Sequence, residues 1–242
     1  RDLRMSRGLG DVYKRQVQRR VVEALKTAGK RIVFVNFSGA AIALEPESLN
    51  CEAILQAWYP GQAGGQAVAE VLFGDYNPAG KLPLTFYRNL AQIPDFEDYN
   101  MTGRTYRYMK ETPLFPFGHG LSYTTFKYGK LKMNDDKIAV GQNLNLVIPV
   151  TNTGSRDGDE VVQVYLKKMD DTEGPVKTLR AFKRVRIPAG KTVEVKFSLD
   201  DTQLEWWDEQ SNTMRVCPGN YTVMIGGTSC EKSLLSRAFT IR

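Results

Sequence analysis

The stretch LQAWYPGQAGGQAVAEVLFGDYNPAGKLPLTF, Leu55 to Phe86, sets a strand, a glycine turn, a short helix and a second strand in fixed order. Its entry, AILQAW at Ala53 to Trp58, is an apolar run closed by Tyr59-Pro60-Gly61, the pattern of a strand buried on both faces. Gly64-Gly65 opens the helix, Ala67, Val68, Val71 and Leu72 recur at helical spacing, and Gly74 stands where a left-handed cap ends it. Asn77-Pro78-Ala79-Gly80 is a turn, after which LPLTF reads as a strand. Upstream, Val21, Val22, Leu25 and Ala28 line one face of a helix that Gly29 ends, and RIVFVNF, Arg31 to Phe37, is a continuous apolar strand. Helix and strand alternating in this way is the rhythm of an open αβα sandwich.

Glycines ahead of a helix also suit a phosphate loop, because backbone amides there can approach an anion. Gly61, Gly64 and Gly65 have neither the G-x-G-x-x-G nor the G-x-x-x-x-G-K-[ST] spacing, which leaves turn and packing roles and removes a flavodoxin-like nucleotide binder.

From about Lys127 the period changes to two. Leu144, Leu146, Ile148 and Val150 alternate with Asn143, Asn145 and Val147, and Val193, Val195, Phe197 and Leu199 alternate with polar neighbours. EVVQVYL, NYTVMI and AFTIR repeat the habit. About seven short strands separated by turn clusters, each with one buried face, predict an immunoglobulin-like β-sandwich.

These motifs together resemble glycoside hydrolase family 3, the exo-acting β-glucosidases and β-xylosidases. Leu55 to Phe86 is similar to a C-terminal signature of that family. GRTYRY (Gly103 to Tyr108) and PFGHGLSY (Pro116 to Tyr123) recur in the branch rich in β-xylosidases. VTNTGSRDGDEVVQVYL, LRAFKRVRIPAGKTVEVKF and PGNYTVMIGGTS resemble the fibronectin type III-like domain that ends many members. The fold class expected is therefore α/β plus all-β: a partial αβα sandwich at 17–93, a connecting segment rich in aromatics and glycine at 94–126, and a fibronectin type III-like sandwich at 127–242. Residues 1–16 match no element of the family, and RGLGDVYKRQ resembles translated sequencing-adapter read-through, so they are set apart as a non-native leader on a truncated gene.

What the resemblance implies about chemistry is hydrolysis of terminal non-reducing β-D-glucosyl or β-D-xylosyl residues with retention and without a cofactor. A complete member has an N-terminal barrel bearing the Asp nucleophile and a sandwich that in many members supplies the Glu acid/base upstream of the helix at 17–28. Both carboxylates of the retaining pair are then expected outside this chain, which is left as scaffold and cleft support. The substrate would be a β-linked oligosaccharide or aryl glycoside, and the missing barrel would be the chain's partner. Glu45 and Glu47, after an apolar strand, are the acids best placed to stand in, since strand ends of an α/β sheet are where ligands sit. Trp58, Tyr59 and Glu45 are the substrate-binding candidates, with Asp75 beside the same cleft.

Other polar groups have plainer readings. Asp95, Glu97 and Asp98 lie in a polar loop with nothing apolar to raise a pKa. Arg104 and Arg107 are read as pins holding their loop onto the αβα part. His119 is the only histidine and sits in a glycine turn, which removes a nucleophile–His system, and with Cys51, Cys217 and Cys230 dispersed there is no metal-ligand spacing. Cys217 and Cys230 flank a strand whose ends lie roughly 30 to 40 Å apart at ~3.3 Å per residue, so free thiols are expected. Asp157, Asp159 and Glu160 read as an exposed hairpin turn without the loop of a calcium site. Trp206 and Trp207 point to opposite faces of a strand, one into the core and at most one outward as a sugar platform.

The composition, 42% hydrophobic with no apolar run near the ~18 residues of a membrane helix, is that of a globular protein. Half of the +6 net charge comes from residues 1–16, and the rest is scattered, which does not make a nucleic-acid footprint. Family habit implies a periplasmic or secreted location. The rival from another class is a free-standing fibronectin-like adhesion module; it accounts for 127–242 but not for the motifs that precede them.

Overall fold

The computed structural model describes residues 16–95 and 97–242; the proposed leader lies almost wholly outside them. The chain forms two compact units. The first runs up to Tyr76 and adds Pro83–Thr105 and Met109–Pro116; the second takes Asn77–Leu82, Tyr106–Tyr108 and Phe117–Arg242.

In the first unit, helix α1 (Gln16–Thr27) is followed by β1 (Val33–Asn36), α2 (Glu45–Asn50), β2 (Ala53–Gln56) and α3 (Gly64–Phe73). β1 and β2 pair in parallel, Val33 opposite Ala53 through Asn36 opposite Gln56. Two glycines stop the longer helices as expected. Gly29, at φ +67°, closes α1 with its own N–H on the Lys26 carbonyl and the Lys30 N–H on that of Leu25, a Schellman arrangement. Gly74, at φ +85°, does the same duty for α3. Ile32, Ile42, Leu44 and Phe86 are buried, while Val17, Val21 and Leu25 of α1, Val33 of β1 and Phe73 of α3 remain exposed. β1 and β2 are thus not buried on both faces among the described residues.

Two features of this unit differ from the sequence-based expectation. Glu45 to Asn50 does not trail the strand but forms α2, a single-turn-and-a-half helix with a proline in its first turn, too short to show a helical period. LPLTF is not a strand. Pro83 has no N–H to give to a ladder, and the run divides between the two units at that residue. Leu82 exchanges backbone hydrogen bonds with Gly118 and His119, whereas Phe86 makes a lone bridge to Phe115.

The single turn α4 (Thr105–Tyr108) leads into the second unit. There β3 (Phe126–Tyr128), β4 (Lys132–Met133), β5 (Lys137–Ile138), β6 (Leu144–Asn152), β7 (Gly158–Lys168), β8 (Thr178–Ile187) and β9 (Thr192–Leu199) are followed by α5 (Asp201–Leu204). The chain then runs through β10 (Trp206–Asp208), β11 (Thr213–Arg215), β12 (Gly219–Gly226) and β13 (Leu235–Ile241). One sheet has the order β5-β13-β12-β7-β8; the other centres on β6, with β9 along one edge and β3 and β4 along the other. β10 and β11 form a separate ribbon. The strands beyond the seven expected have only two or three residues each, too few for an alternating pattern to appear.

Alternation fixes which face is inside. Leu144, Leu146, Ile148 and Val150 from β6 are fully buried against Val162, Val164 and Leu166 of β7 and Val223 and Ile225 of β12. Ile148→Val, which removes one methylene from this packed layer, is expected to lower the stability of the unit by about 1 kcal/mol, read as a shift in urea midpoint with unchanged slope.

β7 is covered on both faces. Its other side presents Gln163 and Tyr165, and Tyr106 of the GRTYRY motif lies over them, 5.9 Å from the Tyr165 ring and stacked on Phe117 at 4.3 Å. The Tyr106 hydroxyl accepts from the Leu179 N–H at 3.1 Å, and the Arg107 carbonyl accepts from Val176 N–H at 2.7 Å. Arg107, read from the sequence as a pin on the αβα part, thus falls with Tyr106 and Tyr108 in the β-sandwich unit. Arg104 stays within its own loop, donating to the carbonyls of Asn100, Asp95 and Asp98. The sequence-based start of the sandwich was residue 127; the compact unit around it also takes in 77–82, 106–108 and 117–126.

Candidate functional site

β1 and β2 run parallel, so their carboxyl ends open on the same side of the first unit. Each ends in a carboxamide at the same register. Asn36 donates through Nδ2 to Gln56 Oε1 at 2.6 Å and to Ser38 Oγ at 2.9 Å, while Gln56 Nε2 donates to the Ser38 carbonyl at 3.2 Å and Ser38 Oγ to that of Ala40 at 2.9 Å. Asn36 is only 6% exposed. Burial of a carboxamide demands such partners, and the outcome is a rigid polar floor between the two strand ends. Sequence reasoning missed it; the only signal was that both apolar strands end in a residue able to both donate and accept.

Past this floor the chain turns at Trp58-Tyr59-Pro60-Gly61. Trp58 stands at φ +54° and Gly61 at +71°, and a bulky residue in the left-handed region carries strain that its surroundings must hold. The Trp58 indole meets Phe86 edge-on, with centroids 6.3 Å apart. Tyr59 is 78% exposed. Its phenol end is seated over Gly39, where a Cβ would come within 2.5 Å of the ring. Of the acids singled out by position, Glu45 begins α2 and reaches Arg88 Nη1 at 3.5 Å, Glu47 is 1% exposed within the same helix, and Asp75 is exposed after α3. The strand ends thus bring together Trp58 and Tyr59 with a hydrogen-bonded carboxamide cluster.

The second unit holds a different buried cluster. Glu160, expected in an exposed hairpin turn, is 5% exposed. Its Oε1 lies 3.2 Å from Lys81 Nζ, which also donates to the Gly120 carbonyl at 3.0 Å, and it accepts from the Val161 N–H at 2.9 Å. The reason is register: Glu160 is two residues from Val162 on β7 and points with it to a covered side, while Asp159 and Asp157 point out to Arg184 at 2.7 Å and Arg186 at 3.3 Å. Burial pushes the Glu160 carboxyl upward, against the pull of Lys81, and it pushes the Tyr128 hydroxyl upward as well, helped by Glu160. His119 is pushed down, mainly by burial and then by Lys81.

The remaining candidates sit apart. Asp98 accepts from the Asn100 backbone and side chain, which hold its carboxyl below the usual range, and Asp95 accepts from the Glu97 N–H, so these acids cap loop turns. None of Cys51, Cys217 and Cys230 is in a disulfide among the described residues. Trp206 is 4% and Trp207 50% exposed, as opposite faces of one strand require. Among the described residues, no group of three or more His, Cys, Asp or Glu gathers as a metal site would.

Residues 9–123 match the glycosyl hydrolase family 3 C-terminal domain, and residues 160–229 match the fibronectin type III-like domain. The chain is 53% identical to a xylan 1,4-beta-xylosidase of Xylanibacter ruminicola over 93% of its own length and 26% of that protein's. It is 39% identical to the periplasmic beta-glucosidase of Salmonella typhimurium, over 89% of this chain and 30% of the relative. A beta-glucosidase structure from Erythrobacter marinus superposes with a TM-score of 0.83 at 37% identity, covering 98% of this chain and 32% of that one. The chain spans about a quarter to a third of the length of these relatives. No helix among the described residues is long and apolar enough to cross a membrane.

Proposed function

Because the chain belongs to glycosyl hydrolase family 3, of which it carries the C-terminal domain and a fibronectin type III-like domain, we propose that it is the supporting part of an exo-acting retaining β-glycosidase. The enzyme would remove terminal non-reducing β-D-xylosyl or β-D-glucosyl residues and need no cofactor. The observation that carries this reading is the 53% identity to a xylan 1,4-beta-xylosidase over almost the whole chain, which also favours xylose over glucose. A retaining enzyme needs two carboxyl groups roughly 5 Å apart across the sugar. The acids at the strand ends are otherwise engaged, Glu45 with Arg88 and Glu47 inside α2. We therefore assign nucleophile and acid/base to a preceding barrel and acid/base segment, and give this chain the cleft wall at the ends of β1 and β2. A periplasmic or secreted location is supported by the name of the Salmonella relative.

The test is release of p-nitrophenol from p-nitrophenyl β-D-xyloside and β-D-glucoside, by the chain alone and by the chain joined to the preceding part of the Xylanibacter ruminicola relative. Turnover by the joined enzyme and none above background by the chain alone is the expected result. Turnover by the chain alone would overturn the assignment and make Glu45 and Glu47 the first residues to replace.

A further inference from the structure

We propose that Tyr59 is a stacking platform for a pyranose ring of the β-linked substrate, a role that rests on the glycosidase reading above and deepens it. Tyr59 leaves 78% of its surface in water, although a phenol ring gains by leaving it. The phenol end lies over Gly39, and a Cβ there would stand 2.5 Å from Cε2, 3.2 Å from Cζ and 3.3 Å from the hydroxyl. A side chain at position 39 would push the ring from this place, so its phenol end abuts the Gly39 main chain while the rest is open.

The backbone beneath it is stiff as well. Trp58 is held in the left-handed region with its indole against Phe86. Pro60 has a fixed φ and packs on Gly64, where a Cβ would meet its ring at 2.5 Å. An aromatic ring whose backbone is already held and whose phenol end has a seat loses less freedom when a ligand covers an open face. The flat, apolar C–H face of a β-pyranose with equatorial hydroxyls complements such a ring, and the hydroxyls at its rim suit the neighbouring polar strand ends. The position agrees, since ligands of parallel α/β sheets gather at the carboxyl ends of the strands.

In the joined enzyme, Tyr59→Ala is expected to raise KM for xylobiose about tenfold with kcat within about twofold, whereas Tyr59→Phe stays within about twofold in both. An unchanged KM in Tyr59→Ala overturns the proposal while leaving the glycosidase reading intact. If the joined enzyme hydrolyses neither aryl glycoside, that reading fails, and titration of the chain itself with xylobiose, followed by amide resonances, decides the platform. Saturable shifts at Ser38, Gly39 and Tyr59 that vanish in Tyr59→Ala support it, and the absence of shifts there overturns it. Matching far-UV circular dichroism of the exposed-site variants checks that they fold.

Discussion

Lys81→Met is expected to destabilise the β-sandwich unit by about 3–5 kcal/mol at neutral pH, because it strips a buried carboxylate of its counter-charge. Lys81 and Glu160 are 15% and 7% exposed at their side chains and 3.2 Å apart, so solvent screens the pair far less than it does a surface pair. Without Lys81, Glu160 has the Val161 N–H and the Tyr128 hydroxyl beside it but no second cation paired with it among the described residues. The pH dependence has a defined sign. Burial already raises the Glu160 pKa in the folded state, and a raised folded pKa contributes stability that is present below the unfolded value and is lost as pH rises through the folded one. Removing Lys81 raises that carboxyl further, and it also relieves His119 of a neighbour that pushes its pKa down. Both changes make the variant comparatively more stable in acid, so the deficit measured by urea unfolding at pH 7.5 should shrink at pH 5. A double variant, Lys81→Met with Glu160→Leu, should recover most of the loss. A deficit under about 1 kcal/mol, independent of pH, would mean that the pair behaves as a surface salt bridge.

Gly120→Ala is expected to cost about 3 kcal/mol in the same unit, by overpacking against main chain. A Cβ on Gly120 would stand 2.1 Å from the carbonyl oxygen of Gly80 and 3.1 Å from Lys81 Cδ. The Gly120 carbonyl is itself an acceptor for Lys81, so any shift that relieves the clash also stretches the ion-pair cluster. Gly80→Ala provides the control: among the described residues, nothing beyond its chain neighbours lies within 4 Å of a Cβ there, and its φ is not positive. It should leave the urea midpoint within about 0.5 kcal/mol of the parent. Equal midpoints for the two variants would sink the steric account.

The residues that proved readable are those whose role is local. Gly29 and Gly74 had to be left-handed because a helix period stopped there, and the burial of every second residue in β6 and β9 follows from the pleat. Trp206 and Trp207 fell to opposite sides for the same reason. What stayed hidden depends on partners far along the chain. Nothing near Glu160 announces a lysine 79 positions earlier in the numbering, and nothing in GRTYRY says that Tyr106 covers Tyr165. LPLTF has the composition of a strand, but its two ends answer to different units. The candidate site was half legible. Trp58 and Tyr59 stood out as aromatics after a strand, whereas the Asn36, Ser38 and Gln56 cluster exists only because β1 and β2 pair in one register.

The discontinuity of the β-sandwich unit bears on how the protein is made. Asn77 donates to the Asp157 carbonyl 80 residues later, and Lys81 finds Glu160 at a similar remove. At about 5–20 residues per second, Asn77 to Leu82 leaves the ribosome on the order of ten seconds before β7 exists to receive it. During that interval the first unit has most of its residues in hand, while the segment that follows it must stay solvated and uncommitted. A motif of Asn, Pro, Ala, Gly and Lys, with Leu82 its one large apolar side chain, is suited to waiting.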